Sequence, residues 1–158
     1  MPQLKDKWES PPTNLRKINV DVATNGRVNG GVGAVVRDEM GFILAAATWP
    51  IPFPLKAHEA EALVAYWGLQ LAKDCCFTEV ILESDNIEVV KALKHGSSNE
   101  TCFGSFIADT HSLIGSFRNV IFSHVKRDET KLLMSLLNLL LPIQIVCGWK
   151  RHPTMFKI

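Results

Sequence analysis

The sequence predicts an α/β domain with a mixed β-sheet, and three observations carry that expectation. Apolar and polar residues alternate with period two from Ile18 to Ala23, and two further runs separated by turn residues follow before Ile51. From His58 the apolar residues recur at helical spacing instead. A short apolar run, TEVILESD, then follows the helix, so a fourth strand must lie parallel to an earlier one and needs the helix as its crossover.

Residues 1–16 are polar and contain Pro11 and Pro12, the pattern of a lead-in or linker. The domain is expected over 17–131, followed by a divergent segment over 132–158. Ile18, Val20 and Val22 alternate with Asn19, Asp21 and Ala23, which is strand periodicity. TNGRVNGG supplies turn residues before a second run, GVGAVVRD, and Asp38-Glu39-Met40-Gly41 turns the chain into a third, FILAAATWPI. These three runs read as an antiparallel meander, ended by Pro50, Pro52 and Pro54. HEAEALVAYWGLQLAKD then places apolar residues at 60, 63, 64, 67 and 71 on strong helix formers. NIEVVKALKHG is a second helix with Val89, Val90 and Leu93 inward and Gly96 as its stop. Phe103, Phe106, Ile107, Ile114 and Phe117 mark a third helix over 103–117, and NVIFSHV is the fifth strand.

Composition narrows the function classes. The chain of 158 residues is 47% hydrophobic and 21% charged, which excludes intrinsic disorder and suits one globular domain. Its charge is uneven: residues 1–130 hold 13 basic and 16 acidic side chains, a net of −3, whereas 131–158 hold four basic residues and no acidic one. Such a body is not a strongly basic nucleic-acid module. The most apolar stretch, Leu132–Val146, is short and interrupted by Ser135, Asn138, Pro142 and Gln144, so no membrane span is expected. The amino terminus lacks the apolar core of a signal peptide. Cys75, Cys76, Cys102 and Cys147 have no zinc-site spacing, which favours reduced thiols in a cytoplasmic or nuclear setting.

Three acids stand where such a fold gathers them. Asp21 interrupts an apolar strand on the face opposite Ile18, Val20 and Val22, and a carboxylate there must be paired or bind a cation. Asp85 ends the fourth strand, and strand ends of open α/β sheets are where ligand sites form. Glu61 lies near the start of the first helix, with Glu59 as a rival. Carboxylates from two strands and a helix suit Mg²⁺, a hard cation that prefers oxygen ligands. Simpler readings stand beside these: Asp85 and Glu88 form a capping-box pattern, Glu61 could be solvated, and Asp21 could be a buried hydrogen-bonded acid. Gly30-Gly31-Val32-Gly33 precedes a strand, so it reads as hairpin and sheet packing and not as a phosphate loop.

Taken together, KINVDVATNGRVNGGVGAVVRDEMGFILAAATWPIPF, HEAEALVAYWGLQLAKDCCFTEVILESDNIEVVKAL and NVIFSHVKRDETK resemble the plant, reverse-transcriptase-associated branch of the type 1 ribonuclease H-like family. The resemblance spans about Trp8 to Lys131. It implies a five-stranded mixed sheet of order 3-2-1-4-5 with helices on both faces, and Mg²⁺-dependent cleavage of the RNA strand in RNA–DNA hybrids. Mn²⁺ is the alternative ion. On the family motif the metal-binding, catalytic acids are Asp21, Glu61 (in E-A-x-x-A-x-x-G-L) and Asp85, which favours Glu61 over Glu59. The implied partner is an RNA–DNA hybrid or other nucleic acid, and a monomer is expected.

The chain departs from the family pattern in three places. Val22 replaces a glycine beside the first acid, adding bulk there; His124 falls inside strand five, where strand packing is its expected role; and Met134 stands where the last helix carries an Asp or His, and cannot ligate a hard metal. The change of character near Lys131, with seven leucines over 132–141, has a candidate origin in a frameshift. Codons for Leu133–Asn138 can be read one base earlier as Ala-His-Glu-Phe-Ala-Lys, the missing family motif. Impaired activity, a non-catalytic nucleic-acid or protein-binding module and an inactive truncated family member are therefore the alternatives to an active hybrid ribonuclease.

Overall fold

Ile18 and Val20 are wholly buried on one face of β1 (Arg16–Ala23), and their strand neighbours Lys17, Asn19 and Asp21 take the other face. The computed structural model describes residues 9–23, 31–51, 53–96, 100–127 and 146–147. After β1 come β2 (Gly31–Arg37), β3 (Ile43–Pro50), α1 (Ala57–Asp74), β4 (Glu79–Ser84), α2 (Ile87–His95), α3 (Cys102–Ile114), β5 (Asn119–His124) and β6 (Val146–Cys147). β1, β2 and β3 form the antiparallel meander, while β4 runs parallel to β1 and β5 parallel to β4. The five expected strands thus take the order 3-2-1-4-5 of the ribonuclease H-like fold. β6 adds an unforeseen sixth strand, antiparallel on the outer edge of β3.

The core lies between the sheet and the helices. Ile18, Val20, Ala34, Val36, Val80, Leu82 and Phe122 meet Val64, Leu69, Val89, Val90, Leu93 and Ile107 in one cluster, so the three described helices share one face of the sheet. Residues 132–158, the divergent segment expected in place of the last helix, lie outside the described residues apart from the two of β6. Gly68 sets how closely α1 approaches: a Cβ there would stand 2.8 Å from Val20 Cγ1 and 3.2 Å from Ile18 Cγ2. Only a residue without a side chain lets the helix backbone rest directly on β1. Beyond it Trp67 packs on Trp49, with ring centroids 5.3 Å apart.

Local sequence also settles where elements stop. α1 ends with the Cys76 amide donating to Lys73 O and the Phe77 amide to Ala72 O, a closure that puts Cys76 at φ +61°. α2 ends at Gly96 with φ +82°. The expected lead-in is partly structural: Pro11 is buried, Lys17 Nζ donates to the Glu9 carbonyl, and Arg16 already belongs to β1. Lys17 is itself buried, and its ammonium donates to this carbonyl as well as pairing with Glu83.

Candidate metal centre

The cleft at the strand ends follows from the register. The β1–β4 ladder runs from Arg16↔Val80 to Asn19↔Glu83 and stops there, although β1 continues beside β2 to Ala23 and β4 beside β5 to Ser84. Two parallel strands therefore part at their carboxyl ends, where the strand order reverses, and open α/β sheets hold ligands at such points. Asp21 lies two residues past the last rung on β1 and Asp85 two residues past it on β4. Glu61 comes from the second turn of α1, which the close contact at Gly68 holds over β1.

Asp21, Glu61 and Asp85 each bring a carboxylate oxygen into a group whose atoms all lie within 4.8 Å of one another. Glu61 is only 7% exposed, and the Asp85 side chain 2%. Asp21 Oδ1 accepts the Val22 amide at 2.9 Å, and Asp85 Oδ2 accepts Arg127 Nε at 3.0 Å. Among the described residues, Glu61 Oε2 and Asp85 Oδ1 are buried with no hydrogen-bond partner. Burial raises the Glu61 carboxyl to about 8, with the charges of Asp85 and then Asp21 acting in the same direction and Arg127 opposing them. An all-carboxylate donor set with two unsatisfied buried oxygens fits a hard divalent cation.

The rival readings of these acids separate in the structure. Glu59 accepts the Lys56 amide at 2.9 Å and so closes the start of α1, away from the cluster. The cap of α2 is Asn86, not Asp85: its Oδ1 accepts the amides of Glu88 and Val89. The extended backbone at Asn86 places it at the capping position, which leaves the Asp85 carboxylate to Arg127 and the cluster. Val22 does not crowd the site with its side chain, because strand alternation turns that side chain onto the core. His124 ends β5 as a strand residue but is exposed, and its Nε2 donates to the Asp85 carbonyl at 3.2 Å, so it sits at the rim of the site and does not pack the strand. Met134 lies outside the described residues.

Arg127 was not singled out by the sequence. No spacing marks it, and only the path of the chain after β5 brings its 71%-exposed side chain to the buried Asp85 carboxylate. That carboxylate raises the Arg127 guanidinium further above its usual range, through the hydrogen bond first and then its charge. The polar residues behind the acids, Lys17, Asn19, Arg37 and Glu83, were likewise unremarked, although Lys17 and Asn19 share the alternation of Asp21.

The fold and the acidic cluster define a ribonuclease H-like protein. The profile of the reverse transcriptase-like family matches residues 19–137, and the chain belongs to that family. Among solved structures, ribonuclease H1 of the halophilic archaeon Halobacterium salinarum is 23% identical with a TM-score of 0.67, covering 74% of this chain and 89% of its own. The N-terminal ribonuclease H domain of a Mycobacterium tuberculosis protein, solved as a maltose-binding-protein fusion, is 21% identical at TM-score 0.67, covering 75% and 86%. LC11 ribonuclease H1, solved in complex with an RNA/DNA hybrid, is 19% identical at TM-score 0.62, covering 73% and 88%. No curated protein sequence matches the chain.

Proposed function

We propose that the protein cleaves the RNA strand of RNA–DNA hybrids by hydrolysis of a phosphodiester, using divalent metal held by Asp21, Glu61 and Asp85. The observation that carries this reading is the convergence of those carboxylates, with two buried oxygens unmatched, at the switch point of the sheet. The likeness to a ribonuclease H1 solved with an RNA/DNA hybrid supports the choice of substrate. Mg²⁺ is the proposed ion, with Mn²⁺ as a substitute, and a bound pair would polarise the scissile phosphate and lower the pKa of the attacking water.

The residues of the chain do the rest. Glu61 holds a proton near neutral pH, and would give it up to serve as a ligand to a divalent cation. Arg127 balances the charge on Asp85 from the solvent side and stands where a phosphate would enter. His124 marks the exposed rim of the same opening. Discrimination of RNA from DNA would rest on 2′-hydroxyls read across a wide minor groove. With a net −3 over residues 1–130, counterion release contributes little and binding is weak and salt-sensitive.

Residues 17–131 are proposed as the ribonuclease H-like unit. Met134, in place of the family Asp or His, motivates the second reading, a domain that binds hybrid without cutting it. Incubating the purified protein with labelled RNA–DNA hybrid and Mg²⁺ or Mn²⁺, beside Asp21→Asn, decides between them. Cleavage lost in the variant supports the enzyme, hybrid binding without cleavage moves the chain to the second reading, and cleavage untouched by the substitution sinks the assigned site.

A further inference from the structure

A chain of buried polar side chains lies directly behind the acids. Arg37 Nη2 on β2 donates to Asn19 Oδ1 on β1 at 2.6 Å, Asn19 Nδ2 donates to Glu83 Oε2 on β4 at 2.7 Å, and Glu83 Oε1 pairs with Lys17 Nζ at 2.8 Å. Lys17, Asn19, Arg37 and Glu83 are 5%, 3%, 8% and 6% exposed. Apolar residues fit this face of the sheet, as Val35 and Ala46 beside it demonstrate. Stability alone does not favour the arrangement, since buried ion pairs are often matched or exceeded by apolar residues of similar volume. Its place in the register is informative: Asn19 and Glu83 are the last backbone-paired rung of β1 and β4, and each stands two residues before a cluster carboxylate on its own strand. Past that rung no β1–β4 ladder holds the strands together.

We propose that the Arg37–Asn19–Glu83–Lys17 chain is a positioning device, clasping β1 to β4 at their last rung so that Asp21 and Asp85 are held at cation-binding separation. The Asn19–Glu83 bond is the clasp, Arg37 braces it from β2, and Lys17 orients the second oxygen of Glu83. None of the four touches the cation; they act through the strand ends. This rests on the metal-site reading above.

The test measures Mg²⁺ and Mn²⁺ affinity by calorimetry and by Mn²⁺ electron paramagnetic resonance, with no substrate present. Trimethylamine oxide is added to keep marginal variants folded. Glu83→Gln sets an amide donor against either Lys17 or Asn19, and Asn19→Asp sets one carboxylate against another. The double variant Asn19→Asp/Glu83→Gln restores every pairing with the polarity reversed: the new carboxylate accepts from Arg37 and from the new amide, whose oxygen accepts from Lys17. Both single variants are expected to bind metal about 10- to 100-fold more weakly, the range found for residues that orient ligands, and the double variant to recover most of that loss. Leu93→Ala, a core truncation on α2, lowers thermal stability and is expected to keep wild-type affinity. Single variants that bind as the wild type does, or a loss in Leu93→Ala equal to theirs, would overturn the positioning role. A wild-type protein that binds neither ion overturns the metal site itself, a separate failure.

Discussion

Glu61 offers the sharpest test of the site's electrostatics. Its carboxyl is buried among two other acids and is raised from 4.5 to about 8. Between those values the unfolded chain has lost its proton and the folded chain still holds it, so stability falls as pH rises. From pH 5 to pH 8 the loss comes to about 3 kcal/mol at 1.36 kcal/mol per unit, after allowing for half-ionisation at the upper end. For a chain of this size that is roughly 6–12 °C in Tm. Glu61→Gln removes the titrating group while keeping its shape. In EDTA, urea unfolding followed by circular dichroism is expected to show the variant gaining about 3 kcal/mol on the wild type between pH 5 and pH 8. Saturating Mg²⁺ is expected to restore the wild type at pH 8 and leave the variant nearly unchanged, because binding to the folded state alone stabilises it. Parallel pH curves for the two proteins in EDTA would refute the argument, since Glu61 would then titrate alike folded and unfolded.

Other substitutions probe the scaffold that presents the acids. Gly68→Ala drives a methyl to 2.8 Å from Val20 Cγ1; overpacking of about 1–3 kcal/mol outweighs a helix-propensity gain of about 1, and urea unfolding is expected to show net destabilisation with weaker Mg²⁺ binding as Glu61 shifts. Asn86→Ala strips the acceptor from the Glu88 and Val89 amides and is expected to cost about 1 kcal/mol, whereas an unchanged unfolding midpoint would restore Asp85 as the cap. Cys76→Gly relieves a left-handed backbone at φ +61° and is expected to stabilise by about 0.5–1 kcal/mol, read as a raised Tm in reducing buffer.

Much of the scaffold was legible because periodicity reports burial. Ile18, Val20 and Val22 show which face of β1 meets the helices, and the switch to helical spacing after His58 announces the crossover that makes β4 parallel to β1. Asp21 was conspicuous for the same reason, as a charge in an apolar strand. Spacing along the chain does not separate neighbours of like chemistry. Asp85 and Asn86 are both good caps, and which one caps α2 depends on backbone angles after β4 that composition does not encode. The structure ends β5 at His124, which the sequence placed inside the strand, and whether its ring packs or faces solvent depends on what lies beside β5.

The sequence by itself determined the element types, their order and the acids worth watching, because those depend on spacing along the chain. Only the tertiary structure decided the site. The β1–β4 ladder stops at Asn19↔Glu83, Gly68 brings α1 against β1, and Arg127 reaches Asp85 across 42 residues. The raised Glu61 carboxyl and the clasp behind it have the same origin: desolvation and Coulomb interaction depend on distance in space, which the spacing of residues along a chain does not carry.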